Sequence, residues 1–151
     1  MNLSKNFSLD EFLVSQTAER HSIDMTPSQE IIDSLSDYCE HLLQPLRDET
    51  GPIFISSGYR PLELNTKIGG SKTSAHVHGR AADFKILGMS PYDTCLKIME
   101  LELPYDQVIH EFGKWTHMGS SEHPRGEELT AHKVKGKTAY VLGIQTMESL
   151  A

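Results

Sequence analysis

Cysteine is nearly missing: Cys39 and Cys95 are the only two. Two isolated cysteines without Cys-x-x-Cys spacing do not read as a disulfide framework or a zinc ligand set, so buried free thiols are expected. Positive charge is also sparse, with 14 Lys and Arg against 21 Asp and Glu and a formal net charge of −7. That balance argues against nucleic acid or an anionic membrane surface as partner. No apolar run approaches the roughly 20 residues that cross a bilayer. The opening "MNLSKNFSLDEF" lacks the basic-then-apolar pattern of a secretory signal, so the chain is expected to be made in the cytoplasm. Internal repeats, low-complexity tracts and linker-like composition shifts are absent too. The length fits a single domain spanning residues 1–151, here expected to be monomeric.

What is present begins with helix signals. Ser8 with Glu11 reads as a capping box opening a short first helix. Thr26 as N-cap, Pro27 at the first helical position and Gln29 closing the box read as a second. Ile31, Leu35, Tyr38, Leu42 and Leu46 then recur at helical spacing, giving that helix one buried stripe. Pro45 is expected to kink or shorten it. "PIFISSGYR" and "AADFKIL" read as strands, and Ser90 with Asp93 opens a helix that stops before Pro104. "DQVIHEF", "WTHMGS" and "TAYVLG" are further strands, the first two joined by a turn at Gly113-Lys114. Helices first, then strands with one inserted helix, predict an α+β domain: a mainly antiparallel sheet with the N-terminal helices packed on it.

Three segments carry polar groups at a strand end or turn: "SSGYRP" with Arg60, "SKTSAHVHGRAADF" with His76 and Asp83, and "EFGKWTHMGS" with Glu111 and His117. Catalytic zinc commonly has three N or O protein ligands and an open fourth position. His76, Asp83 and His117 supply such a set; the bland alternative is a polar turn with backbone-bonding side chains. Trp115 and His117 share a strand face, so the indole could wall the site. His78 is assigned a supporting or surface role, and His123 and His132 an exposed one. Gly79 is read as a backbone position that a side chain would forbid.

The ordered motifs "SGYRP", "SAHVHGRAADF" and "YDQVIHEFGKWTHMGS" resemble those of zinc peptidases of the D-alanyl-D-alanine carboxypeptidase family, which share the hedgehog-domain fold. The family's Ser-x-His-x-x-Gly-x-Ala-x-Asp motif is matched by Ser74, His76, Gly79, Ala81 and Asp83, and its Trp-x-His by Trp115 and His117. The opening "NFSLDEFLVSQTA" is similar to small phage and prophage members. The resemblance implies one zinc per chain on His76, Asp83 and His117. It also implies a peptidoglycan stem peptide as substrate, cut at a D-alanyl-D-alanine or L-alanyl-D-glutamate bond. A lysin of this kind would reach the wall on lysis or on a virion. Arg60 suits a substrate carboxylate, since its planar fork can bond both oxygens. Ser74 either bonds substrate from the site wall or orients the loop, and Trp115 contacts substrate.

One departure concerns the general base. Many relatives carry a carboxylate three residues before the last histidine, where this chain has Lys114. Glu111 is the nearest acid, as in the phage-like branch. A two-residue loop at Gly113-Lys114 pairs His110 with His117 and turns Glu111 away. A three-residue loop is expected to set Glu111 opposite His117 and His110 on the far face. Chemistry and resemblance favour Glu111 as base, with His110 as the alternative or a transition-state donor. Lys114 also leaves room for a non-catalytic wall-peptide or virion-associated protein that keeps the fold.

Overall fold

The computed structural model describes all residues from Met1 to Ala151. Strands β1 (Asn2–Ser4) and β2 (Phe7–Ser8) form a small antiparallel ribbon ahead of α1 (Gln16–Arg20). The Ser8 backbone N–H donates to Glu11 Oε2 at 2.8 Å, but the turn it opens is a short 3-10 helix, Leu9–Phe12. The next helix, α2 (Gln29–Tyr38), is capped by Ser28, whose hydroxyl accepts from Ile31 N–H, and not by Thr26. Thr26 is drawn off by Asp24, which accepts from both its backbone N–H and its hydroxyl.

Pro45 does not end the helix. A π turn over Cys39–Leu43 precedes it, with the Gln44 N–H reaching back to the Cys39 carbonyl, and α3 (Gln44–Thr50) continues beyond. The wider turn accommodates both the missing proline N–H and the ring that would strike the carbonyl four residues back. Leu35, Tyr38, Leu42 and Leu46 are buried as the stripe requires, while Ile31 is half-buried. Burying each aliphatic side chain stabilises by about 1.5–3 kcal/mol, which holds this helix to the sheet. Cys39 and Cys95 are free and buried.

The remaining strands are β3 (Ile53–Ser57), β4 (Ala81–Ile86), β5 (Gln107–Glu111), β6 (Trp115–Gly119), β7 (Glu127–Val134) and β8 (Lys137–Leu142), with α4 (Leu62–Lys67) and α5 (Pro91–Glu100) in the connections. They form one six-stranded sheet in the order β3-β4-β6-β5-β7-β8. All its pairs are antiparallel except β5–β7. The fold is α+β with a mainly antiparallel sheet. The segment holding His132 is a strand, β7, and not a polar loop: His132 is half-buried opposite Ala139. His123 and His78 are exposed. No helix is long and apolar enough to cross a membrane.

Strand parity divides the sheet into two faces. Ala82, Phe84, Val108 and Met118 point into the main hydrophobic cluster with α2 and α5. Tyr38 locks that side by donating its hydroxyl to the Met118 carbonyl at 2.7 Å. The odd-numbered residues Asp83, Ile109, Glu111, Trp115 and His117 face the other way. A register shift between Ile55 and Ser57 moves Ser57 onto this second face, opposite Asp83.

Candidate metal centre and cleft

His76 enters from a 3-10 turn, Ala75–His78, whose N-cap Ser74 accepts from His76 N–H at 3.3 Å. The turn ends on Gly79 at φ +67°, where a Cβ would lie 3.0 Å from the Ile31 carbonyl oxygen. Glycine there permits both the left-handed backbone and the close packing on α2. His76 Nδ1 lies 2.8 Å from the Gly58 carbonyl, to which it donates, so Nε2 carries the free lone pair facing the cleft. Gly58 is in turn pressed on Phe12: a Cβ would come within 2.8 Å of Phe12 atoms.

Asp83 and His117 are cross-strand partners of β4 and β6, which places both on the cleft face. Asp83 Oδ1 stands 2.9 Å from His117 Nδ1 and 3.3 Å from His76 Nε2. All three ligand atoms lie within 4.8 Å of one another, and all three residues are buried. Ligands of a tetrahedral zinc at bond lengths near 2.0–2.1 Å are about 3.3 Å apart, so this donor set fits such an ion. The remaining Asp83 oxygen, Oδ2, accepts from Arg60 Nη2 at 3.1 Å, and Arg60 Nε donates to Ser57 Oγ at 3.0 Å.

The electrostatics follow from this packing. Burial alone would raise the Asp83 carboxyl, but the two imidazoles reverse that and hold it well below the usual carboxylate range. Burial lowers His76, only partly offset by Asp83. His117 is raised, because its hydrogen bond and attraction to Asp83 outweigh burial. Glu111, with 15% of its side chain exposed, has its carboxyl pushed up to about 7, by burial first and then by the Asp83 charge. Its Oε1 lies 3.9 Å from His117 Nδ1.

The hairpin carrying Glu111 decides that placement. Its loop is Phe112–Lys114, closed by Lys114 N–H donating to the Glu111 carbonyl, with φ +60° at Phe112 and +69° at Gly113. The turn is thus centred one residue earlier than Gly113-Lys114. Glu111 pairs with Trp115, and Ile109 with His117. Glu111 therefore shares the face of His117 and reaches it diagonally, not from directly opposite as expected of a three-residue loop. His110 pairs with Thr116 on the core face, packs edge-on to Tyr92 and has Nδ1 2.8 Å from the Gln145 carbonyl. The structure does not bring His110 to the metal ligands. Lys114 is exposed in the turn.

Arg60, Ser74, Glu111, Trp115 and the three ligands line one cleft of about 480 Å³. The Trp115 ring packs edge-on to Phe112, and its indole nitrogen is buried without a hydrogen-bond partner. Asp106, Gln107, Arg125 and Tyr140 also line the cleft, and sequence reasoning missed all four. Tyr140 lies in "TAYVLG", which reads as a strand, but its face depends on pairing with β7. Arg125 is fixed by Asp106, which accepts from its backbone N–H, Nε and Nη2.

A sequence family model described as Peptidase M15 matches residues 5–119. A comparison with curated proteins finds no match.

Proposed function

The chain belongs to the peptidase M15 family, and from that premise we propose that it is a zinc-dependent hydrolase of peptidoglycan stem-peptide bonds, acting as a phage or prophage lysin. The observation that carries this reading is the convergence of His76 Nε2, Asp83 Oδ1 and His117 Nδ1, with the Glu111 carboxylate beside them. Two neutral imidazoles and one carboxylate are the donor set expected of hydrolytic zinc, and they leave one side open to the cleft. When bound, the metal supplies Lewis acidity at the scissile carbonyl and acidifies the attacking water.

The chain's own residues do the rest. Glu111, buried beside the ligands with Oε1 3.9 Å from His117 Nδ1, is placed to accept a proton from water at Oε1 and return it to the leaving amine. His76 is oriented by the Gly58 carbonyl, which fixes its tautomer. Arg60 uses Nε and Nη2 on Ser57 and Asp83, so a substrate carboxylate would meet its Nη1 edge. Trp115 walls the cleft, and Ser74 both caps the His76 turn and faces the cleft. With Glu111 at the ligands, Lys114 no longer favours a non-catalytic reading.

The test is mass spectrometry of purified peptidoglycan after incubation with protein carrying one zinc per chain. New L-alanine and D-glutamate ends, or loss of a terminal D-alanine, support the assignment. An unchanged peptidoglycan with stoichiometric zinc bound would refute it.

A further inference from the structure

Residues 120–151 lie beyond the family match, yet they build one wall of the cleft. The β5–β7 register sets Glu111 beside Ala131, and the β7–β8 register sets Ala131 beside Tyr140. Cross-strand partners share a face, so Trp115, Glu111, Ala131 and Tyr140 form one row across the sheet on the side of the metal ligands. Glu111 and Tyr140 stand two strands apart, about 10 Å, with only the Ala131 methyl between them. That gap suits one extended peptide.

Tyr140 is also exposed where a large aromatic is normally covered. It is 57% accessible, and Leu142, two residues along the same face, is 80% accessible. A tyrosine at a cleft mouth offers an apolar ring and a hydroxyl donor together, the combination that binding sites use. The phenol is protonated at neutral pH, so its hydroxyl is available as a donor.

We infer that Tyr140 is a substrate-contacting residue of the cleft, donating its hydroxyl to a peptide carbonyl on the Glu111 side while its ring walls that side. The inference rests on the peptidase reading and assigns the β7–β8 hairpin a part in substrate selection. Arg125, neutralised by Asp106, shapes the same wall without offering free charge.

The probe is the soluble stem pentapeptide, which contains both an L-alanyl-D-glutamate and a D-alanyl-D-alanine bond. Turnover is measured for the zinc-loaded wild type and Tyr140→Phe, and calorimetric binding for zinc-loaded Glu111→Gln with and without Tyr140→Phe. Tyr140→Phe should lose about 10- to 100-fold in kcat/KM and weaken binding about 10-fold, with zinc affinity unchanged. Tyr140→Ala should lose more, chiefly through KM. Equal turnover and equal binding for tyrosine and phenylalanine would overturn the contact while leaving the peptidase reading standing. Tyrosine-dependent binding without wild-type turnover would support the contact and sink the peptidase reading. No pentapeptide binding with Tyr140 intact overturns the contact.

Discussion

Replacing Glu111 by glutamine should stabilise the metal-free protein, and by an amount that grows with pH. Glu111 has its carboxyl raised from 4.5 to about 7 by burial and by the Asp83 charge. A folded pKa above the unfolded one gives stability that is fully present below the unfolded value and lost as pH rises through the folded value. At roughly 1.4 kcal/mol per tenfold change in proton affinity, the rise implies a loss of up to about 3 kcal/mol by pH 8. Glutamine keeps the shape, cannot ionise and escapes that loss. His76 and Asp83 titrate in both proteins, whereas His117, raised in part by the Glu111 charge, loses that share in the variant, which trims the lead. Urea unfolding with chelator present, at pH 4, 6 and 8, reads the effect directly. The two proteins should match at pH 4, and Glu111→Gln should lead by up to about 3 kcal/mol at pH 8. Zinc should erase most of that lead, since a nearby cation stabilises the ionised carboxylate. A difference that stays flat from pH 4 to pH 8 would refute the burial of the Glu111 carboxyl in this cleft.

The same substitution in the zinc-loaded protein should cost at least about 100-fold in kcat on wall peptide, whereas His110→Ala should keep zinc and turnover if it folds. Zinc should bind one per chain and more tightly as pH rises, with proton release as the raised His117 and the raised Glu111 give up protons in the metal-bound state; calorimetry in buffers of different ionisation enthalpy measures this. Arg60→Lys should lower kcat/KM by at least about 10-fold, because an ammonium cannot span Ser57 and Asp83 as the planar fork does; full activity with lysine would count against that role. Gly79→Ala should cost about 2–4 kcal/mol in urea unfolding, from the left-handed φ and the contact with Ile31.

The sequence by itself determined the helical stripe from Leu35 to Leu46, the α+β class and the three metal-ligand candidates, because each rests on short-range pattern. His76 and Asp83 sit in one motif, and His117 sits beside Trp115 in another. A period of two residues was enough to put Trp115 and His117 on one face. Caps were less legible: Thr26 and Ser28 are both good N-caps, and only the competing bond from Asp24 decided for Ser28. Three matters were left to tertiary structure. The hairpin register hung on whether Phe112 would accept a positive φ, a local cost met by packing against Trp115 and Lys133. The parallel pairing of β7 with β5 joins residues about twenty apart that no local periodicity links. The third was the second partner of Arg60, since sequence assigned the guanidinium to substrate while the fold brings Asp83 across from β4 to receive it. The β5–β7 pairing and the Asp83 partner of Arg60 are set by contacts between segments distant in the chain, and Lys133 brings such a contact to Phe112 as well, none of which a linear pattern encodes.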